Sequence, residues 1–216
     1  MVKMLAVFIC LSGIFIIVQT GEYFWRHKIL RGEYLRKFIH ILSAGFIAFW
    51  PWLISWKTIE IIGVAMLAVV LLNHRHKTFH MDGDIRRQTY GGMLFAVAVI
   101  LCAALTNQPV FFAIAILHLG LADGFAAVAG EYYKKLRYKV FGYRKSVYGS
   151  MVFWLVSLCI LSFGLLFVND SIPFNHYALT LFALPPTLTL LENISIAGFD
   201  NLTVPVTVVL VLRLVS

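Results

Sequence analysis

Long apolar runs alternate with short polar segments along the 216 residues of this chain. A helix needs about 20 mostly apolar residues to cross the hydrocarbon core of a membrane, and most of the runs approach that length. The runs are continuous, whereas the strands of a membrane barrel alternate apolar and polar positions. The pattern therefore predicts an all-α integral membrane bundle of about eight transmembrane helices, at residues 3–20, 38–54, 57–73, 91–106, 109–131, 149–168, 176–196 and 202–214.

Positive charge is concentrated in alternate connections between these runs. Fifteen of the 18 Lys and Arg residues fall in residues 21–37, 74–90 and 132–146. Short loops rich in Lys and Arg stay in the cytoplasm, so this distribution predicts an N-terminus outside and these three connections in the cytosol. By helix parity the turn at residues 197–201 faces the cytosol too. Chemistry that needs charge is then confined to the cytosolic side.

Composition excludes a soluble domain, because 61% of the residues are hydrophobic and only 13% are charged. In a soluble protein the net charge of +8 would suggest nucleic acid as a partner. Here the charge belongs to interfacial loops, which favours membrane lipids or a nucleotide as partners. We expect no nucleic acid among the partners. The first run lacks a small-x-small cleavage site and is expected to be retained. With no linker between runs, residues 1–216 are expected to form a single transmembrane domain.

Asp123 is the most informative polar residue, because it lies within an apolar run, about two helical turns before the basic loop. An ionisable group in hydrocarbon costs a few kcal/mol and commonly marks a functional site. The ordinary alternative is a helix-packing face with a buried Asp paired to a Lys or His. Small neighbours such as Gly124 and Gly130 leave room either for a close helix or for a ligand.

The second helix is expected to begin with Arg36 and Lys37 and to contain His40. On a helix, Arg36 and His40 are four residues apart and share one face. Arg36 and Lys37 alone would be expected to anchor the helix by reaching lipid phosphates. His40 lies a turn deeper, where its alternatives are an interhelical hydrogen bond or a place in a functional site.

Two of the cytosolic connections have features of phosphate-binding loops. In the first, Asp84 and Arg86 are interleaved with glycines, although a solvated loop of mixed charge has the same composition. In the second, a basic segment ends with Lys145 and Ser146 between glycines. The Gly-x4-Gly-Lys-Ser/Thr spacing of a P-loop is missing, so the pattern predicts only local phosphate binding.

Two further acidic residues are expected on the side of Asp123. Glu192 lies within the seventh run, and Asp200 precedes the eighth, where it could also cap the helix. Three carboxylates beside clustered cations suit Mg²⁺ with a nucleoside triphosphate, since Mg²⁺ is typically held by one or two carboxylates plus phosphate oxygens. We therefore expect Asp123, Glu192 and Asp200 to form a metal site.

Taken in order, these pieces resemble the CTP-dependent lipid-alcohol kinases, a family that includes dolichol kinase, phytol kinase, farnesol kinase and the CTP-dependent diacylglycerol kinase. The resemblance covers residues 31–205. It rests on Arg36-Lys37 with His40, Gly83-Asp84 with Arg86 and Tyr90-Gly91, Asp123 through Gly130, Lys145-Ser146 with Gly149-Ser150, Glu192, and Asp200-Asn201 with Pro205.

The resemblance implies that the γ-phosphate of CTP is transferred to the hydroxyl of a long-chain isoprenoid alcohol, of the polyprenol, dolichol or phytol type, with Mg²⁺ as cofactor. The alcohol would enter sideways from the bilayer. Asp123 would bind Mg²⁺ or position the hydroxyl, with Glu192 or Asp200 as a second contact. The residues expected to be catalytic are Asp123, Lys37 and His40, and those expected to bind the nucleotide are Arg36, Lys37, Asp84, Arg86, Lys145 and Ser146.

Three alternatives stay open at the level of sequence. A CTP-dependent diacylglycerol kinase would use the same site on another alcohol. A phosphatidate cytidylyltransferase also uses CTP in a helical membrane fold, but the Lys-Asp and His-Gly-Gly elements of that family are missing after Ser146. A non-enzymatic transporter could use the buried carboxylates as ion sites, and the pair Pro185-Pro186 hints at the broken helix that transporters often contain.

Overall fold

The computed structural model describes residues 2–76, 90–133, 136–168 and 172–216, and 82% of the structure is helical. A π-helical turn at His118–Ala122 joins α5 to α6, so the described residues contain eight long helices. The helices are α1 (Val2–Arg26), α2 (Gly32–Ile47), α3 (Trp56–His76), α4 (Gly91–Leu105), α5 (Pro109–Leu117), α6 (Asp123–Tyr132), α7 (Val147–Gly164), α8 (Phe174–Ile194) and α9 (Asp200–Val215).

Each apolar run of the sequence lies on one of these helices, but two expectations about helix bounds are wrong. The second helix begins at Gly32, four residues before Arg36, where we expected it to begin. Its apolar run does not continue as helix to residue 54, because a 3₁₀ turn at Trp50–Trp52 follows. The proline pair in α8 does not break that helix, which is continuous over 21 residues.

Four of the helices are long and apolar enough to cross a membrane, namely Lys3–Arg26, Trp56–His76, Pro109–Tyr132 and Val147–Phe167. The outer surface agrees with a lipid environment, since large apolar side chains such as Phe15, Phe163 and Phe182 are exposed on it. Helices α2, α4 and α9 have 16, 15 and 16 residues, which is short for a span. The count of eight transmembrane helices therefore stays a prediction.

One element departs from the all-α expectation. Strands β1 (Arg137–Val140) and β2 (Tyr143–Ser146) form an antiparallel hairpin in the basic segment before α7. Phe141 and Gly142 both have positive φ, of 45° and 83°, as a two-residue turn requires when it matches the twist of its strands. The hairpin therefore holds the basic side chains at fixed positions.

The continuous helix formed by α5, the π turn and α6 is at the centre of the molecule. It packs against α2, α7 and α9, and its side chains Phe111, Phe112 and Ile114 are almost fully buried. At Gly120 a Cβ atom would collide with Ala44 of α2. The absence of a side chain at Gly120 therefore lets α2 lie directly against the π turn.

Candidate active site

Asp123 is the first residue after the π turn, and only 7% of its surface is exposed. A π turn adds one residue to a helical turn and so changes the direction in which the following side chains point; such turns are frequent at functional sites. The turn is held in part by His118, whose Nδ1 lies 2.7 Å from the carbonyl oxygen of Ile114.

Helix α2 brings two basic side chains to the Asp123 carboxylate. Lys37 is 4% exposed, and its Nζ donates a hydrogen bond of 2.5 Å to Oδ2 of Asp123. One turn along α2, Nε2 of His40 lies 3.6 Å from the same oxygen and 2.9 Å from the carbonyl oxygen of Leu119. Because burial makes an unpaired charge costly, Lys37 and Asp123 fix each other's positions.

A second, partly buried ion pair joins the hairpin to α8. Nζ of Lys145, on β2, lies 2.5 Å from Oε1 of Glu192 and 2.8 Å from the Glu192 carbonyl oxygen. The hairpin is anchored nearby, because Tyr138 and Ser150 both donate hydrogen bonds to Oδ1 of Asn193, at 2.7 and 2.8 Å. Lys145 is thus held over the end of α8.

A tight turn between α8 and α9 directs Asp200 toward the same place. Ala197 and Gly198 have positive φ, of 54° and 94°, and Oδ1 of Asp200 accepts a hydrogen bond of 3.1 Å from the Asn201 backbone N–H. Desolvation raises the pKa of the Asp200 carboxyl, and the negative charge of Asp123 raises it further. Carboxylates crowded in this way repel one another unless a cation lies among them.

The three carboxylates meet although they come from distant parts of the chain. One oxygen of each of Asp123, Glu192 and Asp200 lies within 4.8 Å of the other two. They line a cavity of about 380 Å³, which we call the polar cavity. Lys37, Lys145, Arg36 and Ser146 line it as well.

The chemistry of this donor set fits Mg²⁺. The ion prefers carboxylate oxygens and commonly shares them with phosphate oxygens. Asn201 also lines the cavity, and its buried Oδ1 finds no hydrogen-bond donor within the described ranges. Its Nδ2 is fixed by a hydrogen bond of 3.2 Å to the Gly91 carbonyl oxygen. The residues present can therefore hold a divalent cation beside a phosphate.

Comparison with proteins of known function supplies the family. The phytol kinase of Synechocystis sp. is 31% identical to this chain over an alignment of 196 residues that covers 88% of this chain and 82% of the relative. The chain belongs to the lipid-alcohol kinase family that includes phytol kinase. No family model matches the chain, and no solved structure matches it.

Most of the residues that the sequence predicts to form the active site lie together in the structure. The residues that line the polar cavity are Arg36, Lys37, Asp123, Lys145, Ser146, Glu192 and Asp200. His40 does not line the polar cavity, but its Nε2 lies 3.6 Å from Oδ2 of Asp123. Asp84 and Arg86 lie outside the described residues. The roles assigned to all of these residues remain predictions.

The cavity also contains charged residues that the sequence analysis did not assign to the site. Glu33 is paired with Arg36, three residues later on the same helix. Arg137 and Arg144, on the two strands of the hairpin, line the cavity as well. Two signals in the sequence could have revealed these residues. One is the spacing of Glu33 to Arg36, and the other is the Phe-Gly turn between two short basic segments.

Proposed function

We propose that this protein transfers the γ-phosphate of CTP to the hydroxyl of a long-chain isoprenoid alcohol, of the polyprenol, dolichol or phytol type. The observation that carries the proposal is the meeting of three carboxylates with Lys37 and Lys145 in one polar cavity. The relative named phytol kinase supports the same class of reaction and acceptor.

An enzyme catalyses phosphoryl transfer mainly by positioning the reacting groups and neutralising the charge of the phosphates, and much less by covalent chemistry. The polar cavity is lined by the cationic side chains of Lys37, Arg36 and Lys145. The hairpin adds two more cations, Arg137 and Arg144. These groups would bind the triphosphate oxygens. Ser146, next to Lys145, would donate a hydrogen bond to a phosphate oxygen.

The metal would be held by Asp123, Glu192 and Asp200, with Asn201 as a further oxygen donor. When bound, Mg²⁺ would supply charge neutralisation of the triphosphate and of the leaving CDP. Lys37 and Lys145 keep two of the three carboxylates in place, because each donates a short hydrogen bond to one of them.

In the reaction a bond forms between the alcohol oxygen and the γ-phosphorus, and the bond from the γ-phosphorus to the β–γ bridging oxygen breaks. The alcohol proton leaves to a carboxylate and then to water, and CDP is released. Asp123 is the group that we assign to positioning the hydroxyl, since it is buried and lies beside both Lys37 and His40. His40 would orient the Asp123 carboxylate from the side opposite the nucleotide.

Two parts of the proposal rest on other observations. The choice of CTP as donor rests on the resemblance to the CTP-dependent kinases. The cytosolic placement of the site rests on the Lys and Arg residues of alternate loops. Under that topology the hairpin and the turn before α9 both face the cytosol, where CTP is found.

The test is a transfer assay on the purified protein in detergent or in vesicles. It uses CTP labelled in the γ-phosphate, Mg²⁺, and a panel of phytol, geranylgeraniol, long polyprenols, dolichol and diacylglycerol. We expect label in an isoprenoid alcohol, with at least a hundredfold loss in Asp123→Asn. Glu60→Gln, on an exposed pair with Lys57, is the control and should keep native activity.

The same assay separates the alternatives. Label in diacylglycerol alone would indicate a diacylglycerol kinase, and release of pyrophosphate instead of CDP would indicate a cytidylyltransferase. Folded protein that turns over no CTP with any alcohol would contradict the proposal and favour a transporter. Unchanged labelling in Asp123→Asn would contradict the role given to Asp123.

A further inference from the structure

A second cavity lies beside the polar cavity, and its lining is almost entirely apolar. It has a volume of about 330 Å³ and is lined by residues of α1, α2, α3 and α4. Leu11, Phe15, Met66, Val69 and Phe95 are among the side chains that line it. We call it the apolar cavity.

The two cavities meet at one face of α2. Arg36 lines both of them. His40 lines the apolar cavity, and its Nε2 lies 3.6 Å from the Asp123 carboxylate of the polar cavity. The imidazole also packs edge-on against Phe95, with ring centroids 4.9 Å apart. A molecule in the apolar cavity therefore has its end within reach of the candidate catalytic carboxylate.

The polar lining residues of the apolar cavity are concentrated at this junction. Gln19 and Asn73 lie in the halves of α1 and α3 that the charge pattern predicts to be nearer the cytosol, Arg36 lies in the first half of α2, and His40 and Ser43 lie further along α2. The other side chains that line the cavity are apolar. This gradient matches a ligand with one polar end and a long apolar chain that points into the membrane.

On α1 and α3 the cavity lining includes residues of the exposed outer surface. Leu11 and Phe15 of α1 and Val69 of α3 line it and are also exposed on the outer surface. Helix α1 packs against α2, where a Cβ at Gly21 would collide with Ile39, a residue that also lines the cavity. A chain could therefore enter sideways between α1 and α3 without disturbing the rest of the bundle.

We infer that the apolar cavity holds the hydrocarbon chain of the acceptor alcohol, with the hydroxyl at the Arg36–His40 junction and the far end of a long chain extending between α1 and α3 into the bilayer. The inference rests on the proposed function and adds the chain-binding surface to it. Because the chain leaves one apolar environment for another, recognition depends on the shape of the cavity more than on desolvation.

Ala65 gives a test of this surface at a defined depth. It lines the cavity and is eight residues from Asn73 on α3, which places it about 12 Å along the helix from the polar end. A five-carbon prenol is too short to reach it, whereas a twenty-carbon alcohol passes it. Ala65 is also exposed, so a larger side chain there need not disturb packing.

The experiment compares Ala65→Phe with Ala68→Phe, an exposed residue of the same helix that does not line the cavity. We expect Ala65→Phe to lower kcat/KM for geranylgeraniol at least tenfold, to change kcat/KM for the five-carbon prenol less than twofold, and to leave the KM for CTP unchanged. Ala68→Phe should resemble the native protein with both alcohols. Equal activities of the two variants on geranylgeraniol would overturn the inference.

A binding measurement keeps the inference testable if no alcohol is phosphorylated. A twenty-carbon alcohol with a photoreactive diazirine on its chain is incubated with the native protein in vesicles, irradiated, and the labelled peptides are mapped. Label on the facing sides of α1 and α3, reduced in Ala65→Phe and kept in Ala68→Phe, supports the inference. Label confined to α7 or α8, or unaffected by Ala65→Phe, overturns it, whereas failure of turnover alone would count against the proposed function.

Discussion

At the scale of single residues, the pair of Lys37 and Asp123 explains how a carboxylate can be kept inside an apolar bundle. Both residues are less than 10% exposed, and their side chains are joined by a hydrogen bond of 2.5 Å. Removing one member of a buried pair leaves an uncompensated charge and typically costs about 3–5 kcal/mol. The pair therefore has a structural role as well as the catalytic role that we propose.

Substituting Lys37 separates these two roles. In Lys37→Met we expect a clear loss of thermal stability, because Asp123 is left charged and buried, and at least a hundredfold loss of transfer activity. In the double variant with Asp123→Asn the stability should recover while the activity does not. Thermal unfolding in detergent and the transfer assay measure the two effects.

The matched control is Lys57→Met, since Lys57 is exposed and paired with Glu60 in the first turn of α3. An exposed ion pair contributes little to stability, so both readouts should stay native. Transfer activity in Lys37→Met at the native rate would show that Lys37 has no part in binding the phosphates.

At the scale of elements, the site depends on how closely α2 approaches the central helix. The π turn and Gly120 form the contact surface, and Ala44 of α2 lies where a side chain of Gly120 would be. This contact is one turn from His40 and two turns from Lys37. A small displacement of α2 would therefore move both basic residues away from Asp123.

The variant Gly120→Ala tests this dependence. We expect its added methyl group to force α2 outward, which should lower the thermal unfolding temperature and reduce transfer activity at least tenfold. The control is Gly45→Ala on α2, where nothing lies within 4 Å of the added Cβ. That substitution should leave activity native and keep or raise stability, since Ala favours helix more than Gly does. Equal behaviour of the two variants would contradict the proposed role of the contact.

At the scale of the whole molecule, the apolar runs were sufficient to locate the helices but not their polar ends. Helix α2 begins six residues before its apolar run, because its first two turns carry Glu33, Arg36 and Lys37 toward a cavity rather than toward lipid. The hairpin was not predicted because its strands are only four residues each. Both misses occur where polar residues are held by tertiary contacts, which no local periodicity records.

Only part of the candidate site could be predicted from the sequence. Asp123, Glu192 and Lys37 stand out in the sequence because charged residues in or beside apolar runs need an explanation. Arg137 and Arg144 do not stand out, since a basic loop is expected at the cytosolic face of any membrane protein. Their place in the polar cavity depends on the hairpin. The apolar cavity could not be predicted, because its lining is indistinguishable in sequence from ordinary core.

The whole molecule is organised around three carboxylates from α6, α8 and α9, and the most direct test is whether they hold a divalent cation. We propose to measure Mn²⁺ binding by electron paramagnetic resonance, with the protein in detergent and a non-hydrolysable CTP analogue present. We expect the native protein and Glu60→Gln to bind Mn²⁺ equally, and Asp123→Asn and Asp200→Asn to bind it at least tenfold more weakly while remaining folded. Mn²⁺ affinity that is the same in all four proteins would contradict the convergence of these carboxylates on a metal.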